Sequence, residues 1–590
     1  MCRTFVEKIF DAPQGAIVFR KPDLILSHDN TDSIRKTFGQ MGGTDVYDPS
    51  RLVVVLDHNA PPTTSALANS YQAIRDFAGL QGISKFHDAG SGICHQIMAR
   101  YVKPGMLVVG SDSHTCTAGA FNALAAGIDR TETAGLWLRG ETWFRVPGSL
   151  KIKLTGKLKQ GVYAKDLSLW IIGMIGSAGA NYQSIEYHGK GVETLTIADR
   201  MTLANLASEM GAKNAVFPAD KVLKEFLKEE FEGIWADEGA RYEREISVDL
   251  GEIFPLVAAP HDVDNIMALA EVRGLDIHQG VIGTCTNGRI EDLREAAAVL
   301  RGRKVRDGVQ LLVIPASREI YLQAIGEGIV TTFLEAGANV LSSSCGPCLG
   351  TGQGIPADDT RVISSANRNF LGRMGNKNAE IYLASPAAVA LSAVQGKITD
   401  PRNSKGAERF PYRKAKISSV VIEDNEVRRA EGVWNYGDCN NLNTDQMFAG
   451  NLTYKVQSSE PAEIIPHLFE GFDRRFTKEV KAGDIILGGE NFGCGSSREH
   501  PSVGLAHVGI RTVIVKSVNR IFYRSAINQG LPVIVHPDAV SAYHKGDRVE
   551  VDFEGGIIFV GKNNFPFEAL PGKLMQILES KGLVNWIRGE

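Results

Sequence analysis

The stretch "SSSCGPCLGTGQG", residues 342–354, sets Cys345 and Cys348 apart by only Gly346 and Pro347, among residues that offer little to pack. A Cys-x-x-Cys pair serves as a redox dithiol, as half of a zinc site, or as a pair of small buried hydrophobes. A zinc site needs two further ligands at ordinary spacing, and the sequence contains no second Cys-x-x-Cys. One more thiol, Cys285 of "VIGTCTNGRIEDL", ends an apolar run where a strand meets a loop. Three thiolates without a fourth suggest an iron–sulfur cluster with one iron not bound by protein. Such an iron is a Lewis acid that can take a substrate hydroxyl or carboxylate.

These thiols have to be held by regular elements, and the chain alternates short apolar β-branched runs with helical patterns. "RLVVVLDH" (51–58), "GMLVVGSDSH" (105–114), "VQLLVIPAS" (309–317) and "RTVIVKS" (511–517) each end in polar residues. This predicts an α/β fold with mainly parallel sheets, whose strand ends carry the chemistry. The texture changes to "GKITDPRNSKGAERFPYRKAKI" after 395, and 396–430 is expected to be a linker between a large N-terminal body and a C-terminal domain, 431–590.

Composition limits the function classes. The 590 residues carry 64 basic and 68 acidic side chains, a net charge of -4, so no basic field predicts nucleic-acid binding. No run of apolar residues is long enough to span a membrane, and the N-terminus "MCRTFVEKIFDAPQGAIVF" has no export pattern. A cytoplasmic setting with reduced thiols is the expectation, and the 8 cysteines are too sparse for a disulfide scaffold.

Taken together, "TCTNGR", "SSCGPCLG" and "NRNFLGRMG" (367–375), with "LDH" (56–58), "GICHQ" (92–96), "SDSHT" (111–115) and "GENFGCGSSREH" (489–500), resemble the aconitase superfamily in content and order. The resemblance covers nearly the whole chain. It is strongest to the isopropylmalate isomerase and homoaconitase branch, a group of amino-acid biosynthesis enzymes in which large and small parts are often separate subunits. Here the two parts look fused, so no separate small subunit is needed. The resemblance implies three α/β domains around a 4Fe-4S cluster bound by Cys285, Cys345 and Cys348, and a swivelling C-terminal α/β domain. It places the first two domains in 1–280 and the third in 281–395.

The implied reaction moves a hydroxyl between adjacent carbons of a hydroxy di- or tricarboxylic acid. That requires removal of a weakly acidic C–H proton and expulsion of a poor leaving group, so iron and a nearby His act on the hydroxyl while a base takes the proton. The resemblance carries the base to Ser496, with Ser497 and Arg498 beside it. A serine is a poor base unless a cation and backbone N–H groups stabilise its alkoxide. Arg368 and Arg373 match substrate and active-site arginines, whose planar guanidinium suits carboxylates. Asp57 with His58, His95, Asp112 with His114, and Glu209 are assigned to the cluster side, where a carboxylate raises and orients an imidazole. Asn205, Asn287 and Asn367 match cluster-neighbour asparagines, and Asn205 and Glu209 are expected on one face of a helix.

Each residue alone has a plainer reading: Cys285 as a buried thiol, the histidines as hydrogen-bonded structural groups, Ser496 as a turn residue, the arginines as solvated charges. Cys2, Cys94, Cys116, Cys439 and Cys494 are expected not to be ligands. The loop that reads the substrate's variable arm corresponds to "NTDQMFAGNLTYKV" (443–456), which contains no arginine. Lys455 is the candidate for a distal carboxylate, with Leu452 and Tyr454 as the apolar alternative. An isopropylmalate or homoaconitate reaction ranks first, and a dimethylmalate-like or aconitate hydratase second. A cluster-free RNA-binding regulator is the reading from another class, and a zinc or thioredoxin-like dithiol protein is a third.

Overall fold

A computed structural model of the chain describes residues 2–402, 408–412, 428–453, 456, 460–568 and 570–589. They divide into two units, the first made of 1–31, 49–127 and 143–416, the second of 32–48, 128–142 and 417–590.

In the first unit a five-stranded parallel sheet runs in the order Lys85–His87, Leu52–Val55, Leu24–Ser27, Leu107–Gly110, Leu124–Gly127. The three central strands are buried at every position, which is why they read as unbroken apolar runs. A second, four-stranded sheet is also parallel. A third sheet of seven strands has a parallel body, Glu380–Leu383, Arg361–Ser364, Gln279–Gly283, Gln310–Ile314 and Asn339–Val340, extended by two antiparallel strands. The helix Ala164–Ile175 is apolar nearly all round and lies buried in the core beside this sheet. Its Trp170 packs edge-on against Phe410, at 5.3 Å between ring centroids, so Phe410 is core although it falls in the stretch expected to be linker.

In the second unit Val433–Tyr436, Ile485–Gly488, Thr512–Val515 and Val533–Val535 pair in parallel, and Arg429–Ala430 adds an antiparallel edge. A small antiparallel sheet follows. The helix Arg130–Arg139, far away in sequence, belongs to this unit. Its Glu132 pairs with Arg524, both fully buried, and the backbone N–H and hydroxyl of Thr131 donate to Glu499 at 3.1 and 2.8 Å. The four expected strands are all present, at Leu52–Val55, Leu107–Gly110, Gln310–Ile314 and Thr512–Val515.

Candidate active site

Three adjacent parallel strands of the first sheet deliver acids and imidazoles from their carboxyl ends. Leu52–Val55 leads into Asp57 and His58, Leu107–Gly110 into Asp112 and His114, and Leu24–Ser27 between them into His28 and Asp29. Asp29 anchors the Asp57 turn. Its Oδ1 accepts the N–H groups of Asp57 at 2.9 Å and His58 at 3.2 Å, and its Oδ2 accepts the Asn59 N–H and the Tyr71 hydroxyl. His28 stacks on His58 with ring centroids 3.9 Å apart.

Asp57 Oδ1 lies 2.7 Å from His58 Nδ1, and its Oδ2 accepts the Cys94 N–H at 2.7 Å. On the other side of the ring, His58 Nε2 is 3.5 Å from Asp112 Oδ2. Burial disfavours a charged imidazole, but the Asp57 charge and hydrogen bonds to Asp112 and Asp57 outweigh it and hold His58 well above the usual histidine range. Burial likewise opposes ionisation of Asp112, which the hydrogen bonds of His114, His58 and His95 nevertheless keep well below its ordinary value. His58 thus sits between two carboxylates that favour its charged form, an arrangement suited to a proton donor.

The network continues from Asp112. Its Oδ1 is 2.8 Å from His95 Nε2 and accepts the His114 N–H at 2.7 Å. His114 Nε2 lies 2.7 Å from Glu209 Oε1, and Arg368 Nε donates to both Glu209 oxygens at 2.9 Å while its Nη2 donates to the Ser113 hydroxyl at 3.0 Å. Burial would raise Glu209, yet the Arg368 charge and the His114 hydrogen bond bring it to about 2. The expected shared helix face for Asn205 and Glu209 is modified. The α-helix Ile197–Leu206 ends just after Asn205, and Glu209 sits on the following tighter turn, Ala207–Met210, which separates the two directions. Asn205 turns to sulfur and Glu209 to the His114–Arg368 pair.

Two of the three sulfurs face N–H donors. Asn205 Nδ2 reaches Cys285 Sγ at 3.5 Å, Asn367 Nδ2 reaches the same sulfur at 3.4 Å, and Arg373 Nη2 approaches Cys348 Sγ at 3.9 Å. Cys285 follows a forced backbone turn: a Cβ on Gly283, at φ +125°, would meet the Ile314 carbonyl oxygen at 2.0 Å, and Thr284 sits at φ +64°. Cys345 precedes the 3-10 turn Gly346–Leu349 that carries Cys348. Burial, followed by the neighbouring Cys348, pushes Cys285 up to about 12, and burial with the Asp57 carboxylate also raises Cys345, so these groups are thiols until a metal displaces their protons. Amide and guanidinium donors aimed at sulfur, around three cysteines that have no disulfide partner, fit an iron–sulfur group. Asn287 does not reach sulfur. Its Nδ2 donates to Asp292 Oδ1 at 2.8 Å and to the Thr202 hydroxyl at 3.4 Å. Cys94 and Cys116 are buried, and Cys116 Sγ faces the carbonyls of Ser113 and Asn205 at 3.8 Å.

In the second unit the strand Ile485–Gly488 ends in the loop that holds Ser496, Ser497 and Arg498. Ser496 is half-buried, and its N–H donates to the Thr444 hydroxyl at 3.0 Å. Arg498 donates to Asp445 Oδ1 at 2.7 Å and to the Phe448 carbonyl at 2.8 Å. This ties the loop to the "NTD" turn, 443–445. Leu452 packs partly buried on the apolar core of the unit, whereas Tyr454 and Lys455 lie outside the described residues.

The aconitase family (aconitate hydratase) model matches residues 5–274 and 268–396, and a model of the aconitase C-terminal domain matches 411–538. The chain belongs to the aconitase family. The 3-isopropylmalate dehydratase large subunit 2 of Archaeoglobus fulgidus is 47% identical over 414 residues, 68% of this chain and 99% of its own. Large subunit 1 of the same enzyme from Methanopyrus kandleri is 44% identical over 415 residues, again 68% and 99%. A protein of Methanosarcina mazei named "Probable methanogen homoaconitase large subunit" is 45% identical over 387 residues, 64% of this chain and 98% of its own. This aconitase-family chain is a hydro-lyase/isomerase acting on a small hydroxy acid, and it is longer than those large subunits. The RNA-binding reading is not favoured by these relatives. Among the described residues no helix is long and apolar enough to cross a membrane.

His28, Asp29 and Tyr71 escaped the sequence reading. The signal was present in "LILSHDN" (24–30), an apolar run ending in polar residues like the others, but it is short and has no Asp-His order.

Proposed function

We propose that this chain dehydrates and rehydrates an isopropylmalate- or homoaconitate-type hydroxy acid, with a 4Fe-4S cluster held by Cys285, Cys345 and Cys348. The carrying observation is the set of amide and guanidinium N–H groups around two of those sulfurs, next to a continuous acid–imidazole network. When bound, the cluster supplies a Lewis-acidic iron to the hydroxyl and carboxylate of the substrate.

The side chains carry the proton traffic. His58, held charged by Asp57 and Asp112, protonates the departing hydroxyl, which leaves as water as the C–O bond breaks. Ser496 takes the proton from the neighbouring carbon, and the electrons of that C–H bond form the double bond of the unsaturated acid. Arg498 and nearby N–H groups stabilise the serine alkoxide, with Ser497 beside it. Returning the same groups with the two carbons exchanged completes the isomerisation. His95 and His114 orient Asp112, Glu209 holds Arg368 in place, and Arg368 and Arg373 serve the substrate carboxylates. Asn205 and Asn367 hydrogen-bond the ligand sulfur, and Asn287 ties the short helix that carries Cys285 to Asp292.

We infer that the chain works without a separate small subunit, since both family models match within it, and a biosynthetic role of this kind would place it in the cytoplasm. We propose the domain parts that the resemblance implies, 1–280, 281–395 and a swivelling domain 431–590, with Phe410 and Arg429–Ala430 taken out of the linker 396–430. An anaerobic assay of reconstituted protein on isopropylmalate, homocitrate, citrate and methylated malates, following ultraviolet absorbance of the unsaturated acid, tests the reading. Turnover of isopropylmalate or homocitrate supports it, and activity on none of the acids overturns it.

A further inference from the structure

Lys165 is completely buried in the helix Ala164–Ile175, and the proposed chemistry does not use it. Its Nζ donates to the carbonyl oxygens of Ser365 at 3.0 Å and Ala366 at 2.6 Å. No carboxylate forms an ion pair with it among the described residues. Isolated ammonium groups are costly to bury, so one that is retained needs a negative partner or a specific task.

Two relationships supply both. Ser365 and Ala366 leave the strand Arg361–Ser364 and run straight into Asn367 and Arg368. Asn367 reaches Cys285 Sγ at 3.4 Å, and Arg368 holds Glu209. The ammonium therefore grips the backbone that presents a sulfur donor and an arginine. Cys285 and Cys348 head the groups whose charge would favour the Lys165 ammonium, and as metal ligands they would carry that charge.

We propose that Lys165 is the counter-charge of the ligand thiolates and a positioning residue for the Asn367–Arg368 turn. The proposal rests on the cluster reading above. A positive charge near a bound negative cluster would favour the form with one more electron, and clamping Asn367 would preserve a hydrogen bond to sulfur that does the same. Neutralising the charge makes the cluster harder to reduce and easier to lose.

The test compares wild type, Lys165→Met and Lys165→Arg, each reconstituted anaerobically with iron and sulfide, by midpoint potential, iron retention in air and far-ultraviolet circular dichroism. The expected result is a lower midpoint potential and several-fold faster iron loss in Lys165→Met with unchanged dichroism, and a potential in Lys165→Arg returned towards wild type. Wild-type potential and iron retention in Lys165→Met overturn the proposal. If the Met variant does not fold, Lys165→Gln, which keeps a donor for the carbonyls without the charge, is read the same way. A wild-type chain that takes up no cluster refutes the underlying reading itself, and the counter-charge with it.

Discussion

Asp29 accepts the backbone N–H groups of both Asp57 and His58 through one carboxylate oxygen, at 2.9 and 3.2 Å. The side chain at the end of one strand therefore fixes the turn at the end of its neighbour. Asp29→Asn places an amide N–H where an acceptor is needed, against either those N–H groups or Tyr71 and Asn59. Leaving a buried donor unmatched costs about 1–3 kcal/mol. The expected outcome is a Tm lowered by several degrees and a fall in kcat with iron content retained, checked by calorimetry and steady-state kinetics. Unchanged kcat would separate Asp29 from the His58 turn.

Glu209 links His114 to Arg368, and its carboxyl lies at about 2, against an ordinary value of 4.5. Between those values the folded chain binds fewer protons than the unfolded chain, so this group contributes stability above pH 4.5 and loses it as pH falls through about 2. Glu209→Gln removes that acid-side slope and leaves Arg368 without its anion, a change that costs about 3–5 kcal/mol for a buried pair. Urea unfolding at neutral pH and from pH 5 downwards measures both effects.

In the second unit Asp129 behaves in the opposite sense. Burial, then the charges of Glu499 and Glu132, raise it from 3.8 to about 8. The folded chain binds the extra proton between those values, so the stabilisation is complete below 3.8 and is lost as pH rises through about 8. Asp129 Oδ1 caps the helix Arg130–Arg139 through the Glu132 N–H, and its Oδ2 accepts from Asn528 Nδ2 at 2.6 Å. Asn528 Oδ1 has no partner among the described residues, so an exchanged amide orientation would accept from a neutral side chain there. Asp129→Asn is expected to keep the cap and flatten the fall of Tm between pH 7 and 9. An unchanged slope would contradict this.

The proposed division of labour between the two units predicts a double dissociation. Ser496→Ala abolishes turnover and leaves iron content intact, whereas Cys345→Ser loses iron first. Iron analysis beside single-turnover assays reads both, and loss of iron in Ser496→Ala would make the serine a structural residue.

Much of this was legible because parallel α/β sheets display chemistry at strand ends, so "LVVVLDH" and "LVVGSDSH" announce element and site together. What stayed hidden depends on contacts distant in sequence. The helix Arg130–Arg139 joins the second unit through Arg524 and Glu499, and nothing in its own composition indicates partners more than 360 residues away. Lys165 looks like an ordinary helical lysine until the surrounding burial is known. The turn that redirects Glu209 away from Asn205 arises where one helix tightens into another, which residue spacing does not record.

The central claim is that Cys285, Cys345 and Cys348 hold a cluster whose remaining iron meets substrate. Mössbauer spectra of anaerobic 57Fe-reconstituted protein, before and after addition of isopropylmalate and homocitrate, test it most directly. The account predicts about four irons per chain, of which a single one changes its spectrum on addition of an acid that is turned over. Irons that all stay unchanged, or a colourless protein that takes up zinc in place of iron, would contradict it.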